Sequence, residues 1–151
     1  MIHLIFALLS MIFHWQSFGS GSAAGSLESA QWKHRVLAYV VASDTQRDEI
    51  ERTLESENAE LVDRDLLLVN LGEIELETRH SLEMGPEEKK LWREFWDLGL
   101  SESRFILIGK DGGTKATQRD NLELEPFFNL IDLMPMRRAE LRARDDSSQL
   151  K

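Results

Sequence analysis

Apolar and polar positions fall into short blocks along this chain, and the spacing within each block predicts an element. Arg35 to Val41, R-V-L-A-Y-V-V, is a continuous apolar run rich in β-branched and aromatic residues, the pattern of a buried strand. Ser43, Asp44 and Thr45 then offer N-cap side chains, and Gln46 to Asn58 follows as a charged segment with Ile50, Leu54 and Leu61 at helical spacing. Leu66 to Leu71 is a second apolar run, entered through Asp63-Arg64-Asp65. Strand, helix, strand in that order predicts a βαβ unit with parallel strands.

Gly72 to Met84 is acidic and irregular and reads as a loop. Gly85-Pro86-Glu87-Glu88 starts a helix well, because proline suits the first helical position and early carboxylates favour the positive end of the helix dipole. Leu91, Trp92, Phe95 and Leu98 form its apolar face, expected to be core, and Gly99 is expected just past its end. Trp92 and Trp96 beside Phe95 also allow a ligand-stacking surface. Phe105 to Gly109 is a third strand, Asp111-Gly112 a hairpin turn, and Thr114 to Thr117 the returning strand. Glu125-Pro126 opens a helix with Phe127, Phe128, Leu130, Ile131 and Met134 on one face, which Pro135 kinks or ends. Met136 to Arg144 adds a charged turn, and residues 145–151 read as a flexible tail. The order is β-α-β-α-β-β-α, an α/β chain.

The 151 residues suffice for one domain. A net charge of −9 repels phosphate backbones, so no nucleic-acid partner is expected. With no cysteine, disulfides, thiol nucleophiles and cysteine-ligated metals are excluded. The acidity is unevenly placed: residues 1–25 contain no Asp, Glu, Lys or Arg. There, an apolar run from Ile2 to Phe13 precedes the small-residue stretch Gly19 to Ser26, the form of a signal peptide cut near Gly25. The run is too short for the ~20 apolar residues of a membrane span, so no stable anchor is expected after cleavage. The expected organisation is a signal peptide over 1–25, a domain over 26–144 and the tail over 145–151, in a secreted or periplasmic protein.

Candidate chemistry is sparse. Beyond residue 25 there are two histidines, His34 and His80, and no G-x-S-x-G element to carry a serine triad. No metal-ligand spacing is evident, and Asp63/Asp65 read as loop or ion-pair carboxylates; neither metal nor cofactor is expected. Gly109 to Lys115 has the glycines of a phosphate loop without its spacing or its following helix. The basic cluster Arg137, Arg138, Arg142 and Arg144 either binds an anion or pairs with Asp132, Glu140 or Asp145/Asp146.

Three stretches together resemble one family: Leu61 to Leu66 (L-V-D-R-D-L), Leu107 to Lys115 (L-I-G-K-D-G-G-T-K) and Phe128 to Glu140 (F-N-L-I-D-L-M-P-M-R-R-A-E). This is the domain of unknown function 4174 family, found alone in exported bacterial proteins and within the sushi-repeat X-linked proteins and coiled-coil-domain-containing protein 80 of animals. The resemblance spans about Trp32 to Arg142. It implies a thioredoxin-like fold, a central mixed sheet flanked by helices. In that fold a catalytic thiol lies just after the first strand, where this chain has Ala42-Ser43-Asp44-Thr45-Gln46, so thiol redox catalysis is excluded.

Two functions are then expected. One is a non-catalytic module binding a protein or polymer of the envelope or extracellular space at the Asp44, Thr45 and Gln46 loop, with Arg104 facing it. The other is an enzyme without thiol chemistry, with Lys110, Asp111 and Arg137 as an anion-binding or acid–base set.

Overall fold

The computed structural model describes residues 27–149, with the side chain of Gln149 left aside. The signal peptide expected over 1–25 therefore lies outside the described residues. A single sheet organises the rest, in the order β2-β1-β3-β4. Strand β1 (Arg35–Val40) pairs parallel to β2 (Leu66–Asn70) and antiparallel to β3 (Arg104–Ile108), which pairs antiparallel to β4 (Thr114–Arg119). This is the expected mixed sheet, and β1 is buried along its whole length because both of its faces are covered.

Alternation along β1 assigns the two faces. Leu37 and Tyr39 point with Phe105 and Leu107 to one side. There they meet Ile50 and Leu54 of α2 (Asp44–Ser56), Leu61 of α3 (Asn58–Asp63) and Leu124, Phe127, Phe128 and Ile131 of α5 (Leu124–Leu133). Val36, Ala38 and Val40 point with Ile106 and Ile108 to the other side. That side is covered by Ala30 of the short α1 (Leu27–Ala30), by Met84, and by the half-buried Trp92 and Trp96, where α4 (Pro86–Phe95) lies. The second layer is thin: no residue of α4 is fully buried.

Several boundaries differ from the sequence reading for local reasons. The first helix is two, divided at Glu57, so that Leu61 sits on its own turn under β2. Ser43 caps α2 as expected, its hydroxyl accepting from the Gln46 amide. Helix α4 stops before Gly99. Asp97 takes the left-handed conformation instead, and the Leu98 amide bonds back to the Arg93 carbonyl. The 72–84 loop is anchored where Leu68 donates to the His80 carbonyl and accepts from the Leu82 amide, which covers the open edge of β2.

Of the kink or end expected at Pro135, the structure has the end: α5 stops before it and α6 (Pro135–Gln149) starts on it. The helix runs through Asp145, Asp146, Ser147 and Ser148, where a flexible tail was expected. Helix propagation needs no apolar face, and these residues are exposed with only local hydrogen bonds.

Candidate functional site

The seven predicted site residues divide between opposite ends of the sheet. Asp44, Thr45 and Gln46 follow the carboxyl end of β1, and Arg104 is paired in register with Val40 there. Lys110 and Asp111 follow β3, which runs the other way, and Arg137 lies on α6 near the start of β1 and β2. Strand β1 has six residues, about 20 Å at the usual rise, so the two groups are not one site.

At the first end the loop is closed by its own hydrogen bonds. The Ser103 hydroxyl donates to Gln46 Oε1 at 2.9 Å and accepts from the Ala42 amide at 3.0 Å. Gln46 Nε2 donates to the Asp120 carbonyl at 3.0 Å. Asp44 is exposed and paired with Arg47. Arg104 pairs with Glu102 at 3.1 Å and not with the loop. Ala42, Gln46, Ser103 and Asp120 thus close the loop through their own hydrogen bonds.

At the second end the motif residues converge on a network of ions. Arg35, with 0% of its surface exposed, donates to both carboxylate oxygens of Glu140 and to the Arg64 carbonyl. Lys110 Nζ lies 2.8 Å from Asp65 and 2.8 Å from Glu140. Arg137, 2% exposed, bonds Asp63 and Asp132, and Arg64 bonds Asp132 while its guanidinium stacks 4.5 Å over the Phe128 ring. Arg144, about two turns further along α6, also reaches Asp63. Burial pushes the carboxyls of Asp63 and Glu140 up. Hydrogen bonds and charge from Arg137 and Arg144, and from Lys110 and Arg35, outweigh it and hold both below their ordinary values. Lys110 and Arg137 are thus occupied by protein carboxylates. Asp111 turns away to Lys115 at 2.6 Å and to the Gly113 amide, shaping the hairpin whose Gly112 has φ of +81°.

The sequence reading missed two concavities. A polar cleft of about 660 Å³ lies between α2, α3 and the 72–84 loop, lined by Glu51 and Glu55 of α2 and by Glu77, Arg79 and His80 of the loop. Among the described residues no three His, Asp or Glu side chains are grouped to hold a metal ion. The second is an apolar groove of about 280 Å³ between α1, the β3–β4 turn and α4. Its floor is Ala30, Val36 and Ile108, its wall Trp92 and Trp96, and its rim Glu28, Gln31, His34 and Asp111.

The indoles stack at 5.0 Å, with Phe95 edge-on to both. The Trp96 indole N–H is fixed on the Thr114 hydroxyl at 3.2 Å. Beside the groove the α4 face expected to be core is open: Leu91 is 65% and Phe95 71% exposed. The aromatic spacing was the one signal in the sequence that pointed here.

A comparison with curated proteins finds no match. Among solved structures, the chain is similar to the reduced 2-Cys peroxiredoxin of Plasmodium vivax, with a TM-score of 0.54 and 17% identity over 70% of this chain and 80% of that one. It is also similar to thioredoxin peroxidase I of Plasmodium yoelii, with a TM-score of 0.51 and 16% identity over 70% and 75%. These likenesses show a thioredoxin-like fold. The peroxiredoxin chemistry does not come with it, since the sequence has no cysteine. Residues 26–140 match the family described as a domain of unknown function (DUF4174), and the chain belongs to that family.

Proposed function

We propose that the protein is an exported, non-catalytic thioredoxin-like module that binds an envelope or extracellular partner through the aromatic surface of α4. The observation that carries this reading is the exposure of Leu91 and Phe95 beside the Trp92–Trp96 stack. Contiguous apolar surface rimmed by polar groups is the usual mark of an interaction site. Support for the absence of catalysis comes from the closed Ser43–Gln46–Ser103 loop and from the ion-paired state of Lys110 and Arg137. Support for export comes from the charge-free residues 1–25. The loop after β1 is the less suitable surface, because Gln46 spends its side chain within the fold.

The test is expression of the tagged full chain in a bacterial host, with a photo-crosslinking residue at Phe95 or, as a control, at the exposed Arg142. The protein is expected in the periplasm or medium with an N-terminus near Gly25, and with an adduct from Phe95 alone. Retention in the cytoplasm with residues 1–25 intact refutes export. Equal labelling from both positions refutes the surface.

A further inference from the structure

The groove beside α4 has a chemistry that narrows what can fill it. Its volume, about 280 Å³, falls just below the range usual for drug-sized ligands and suits one long side chain. No Lys or Arg lines it, whereas Glu28 and Asp111 stand at its rim. Asp111 is already paired with Lys115. Glu28 has no side-chain partner among the described residues and is exposed. A third carboxylate, Glu88, accepts from the Trp92 indole N–H at 3.4 Å, close to the aromatic wall. His34 is the only other titratable group in the lining. The protein around it carries a net charge of −9.

A second observation marks the same place. Trp32, one residue beyond Gln31 of the rim, is 63% exposed and has φ of +67°. A bulky residue rarely adopts that backbone, and here it is held by the Trp32 amide donating to the Lys110 carbonyl at 2.6 Å. The fold therefore holds Trp32 in a strained backbone with its indole exposed, one residue in sequence from the rim.

Resting on the interaction-module reading, we infer that the groove is a docking site for an arginine side chain from a basic, apolar segment of the partner protein. The aliphatic stem lies on Ala30, Val36 and Ile108, and the guanidinium faces the indole wall and Glu28. Arginine fits better than lysine because its planar, weakly hydrated head stacks on an indole while donating to a carboxylate. Apolar neighbours in the segment cover Phe95 and Leu91.

The experiment follows indole N–H signals of the ¹⁵N-labelled full chain by NMR, assigned with Trp92→Phe and Trp96→Phe. It compares alternating arginine–leucine, lysine–leucine and glutamate–leucine hexapeptide amides. The arginine peptide is expected to give saturable shifts at Trp92 and Trp96, the lysine peptide weaker ones and the glutamate peptide none. Glu28→Gln, an exposed change that spares the fold, is expected to weaken arginine-peptide binding about threefold.

Absence of shifts, equal shifts from the arginine and glutamate peptides, or unaltered affinity in Glu28→Gln would each overturn the inference. If the peptides fail while crosslinking from Phe95 still captures a partner, the arginine site falls and the module stands. If both fail, the module reading falls with it.

Discussion

Glu140 is the carboxylate on which the buried ion network turns, and Glu140→Ala gives a measurable estimate of its worth. Alanine keeps the helix propensity of α6, so the loss is one of pairing. Arg35 then keeps only the Arg64 carbonyl at 2.8 Å, and Lys110 keeps only Asp65. Removing one partner of a buried pair typically costs 3–5 kcal/mol, because the stranded charge has lost its solvent as well as its partner. The Glu140 side chain is 22% exposed and Lys110 retains an acid, which places the expected loss near the lower end, about 3 kcal/mol. With a urea m-value of about 1.5 kcal/mol/M, the midpoint of unfolding falls by about 2 M.

The companion variant is Arg35→Met with Glu140→Leu, which removes both charges and fills their volume. It is expected to recover at least half of the loss, as apolar replacements of buried ion pairs do. Far-UV circular dichroism in urea measures both. A loss under 1 kcal/mol in Glu140→Ala would refute the reasoning, since it would mean that Arg35 is solvated in the folded protein. A double variant no better than the single would place the cost in packing and not in charge.

The carboxyls of Glu140 and Asp63 have folded-state pKa values below their ordinary 4.5 and 3.8. The stability they contribute is complete above those ordinary values and is lost as pH falls through the depressed ones; acid titration by circular dichroism that shows full stability at pH 2 would contradict this. Phe95→Ser should leave stability within ~0.5 kcal/mol because the ring is exposed, whereas Phe105→Ala, in the core, should cost about 3–5 kcal/mol; similar melting temperatures for the two would be fatal to the assigned faces. Ser103→Ala strands the Ala42 amide and one Gln46 bond and should cost about 1–2 kcal/mol in urea unfolding, with no change in partner capture from Phe95. Deleting residues 145–151 should cost under ~0.5 kcal/mol, since Asp145 to Ser148 are exposed and the hydrogen bonds of Ser147 and Ser148 are local, while deleting 135–151 removes Arg137 and Glu140 and should leave a chain with a non-cooperative melt.

What could be read in advance was local. The run Arg35 to Val41 announces a strand covered on both faces, and Asp111-Gly112 announces its hairpin, because period and turn chemistry are properties of neighbouring residues. The pairing of Arg137 with Asp132, five residues away, was within reach for the same reason. Arg35 with Glu140, 105 residues apart, was not. Helix α4 shows the other limit. A stripe of Leu91, Trp92, Phe95 and Leu98 says that one side of the helix is apolar. It does not say whether this chain or another covers that side, and here Leu91 and Phe95 remain open. The loop after β1 shows a third limit: fold analogy points to the carboxyl ends of parallel strands, whereas Ser103 and Asp120, which bond Gln46 there, come from distant segments that local pattern does not reveal.

The three stretches that carry the family resemblance meet in one place, and that place bears on what membership implies. Asp63, Arg64 and Asp65 come from the first, Lys110 from the second, and Asp132, Arg137 and Glu140 from the third, all in the ion network under α6. Among the described residues, Arg137 is the one buried residue of α6. Since α6 buries no apolar side chain among its described residues, charge does most to seat it, through acids and bases on β1, α3, the turn between α3 and β2, the β3–β4 turn and α5. The motif is therefore accounted for by the docking of a helix, at the end of the sheet opposite the loop where a thioredoxin-like enzyme would work. Finding that motif in another chain predicts this ionic seat. The Leu107 to Lys115 stretch also lends Ile108, Gly109, Asp111 and Gly112 to the lining of the α4 groove, so one motif stretch builds the ionic seat and borders the proposed docking surface at once.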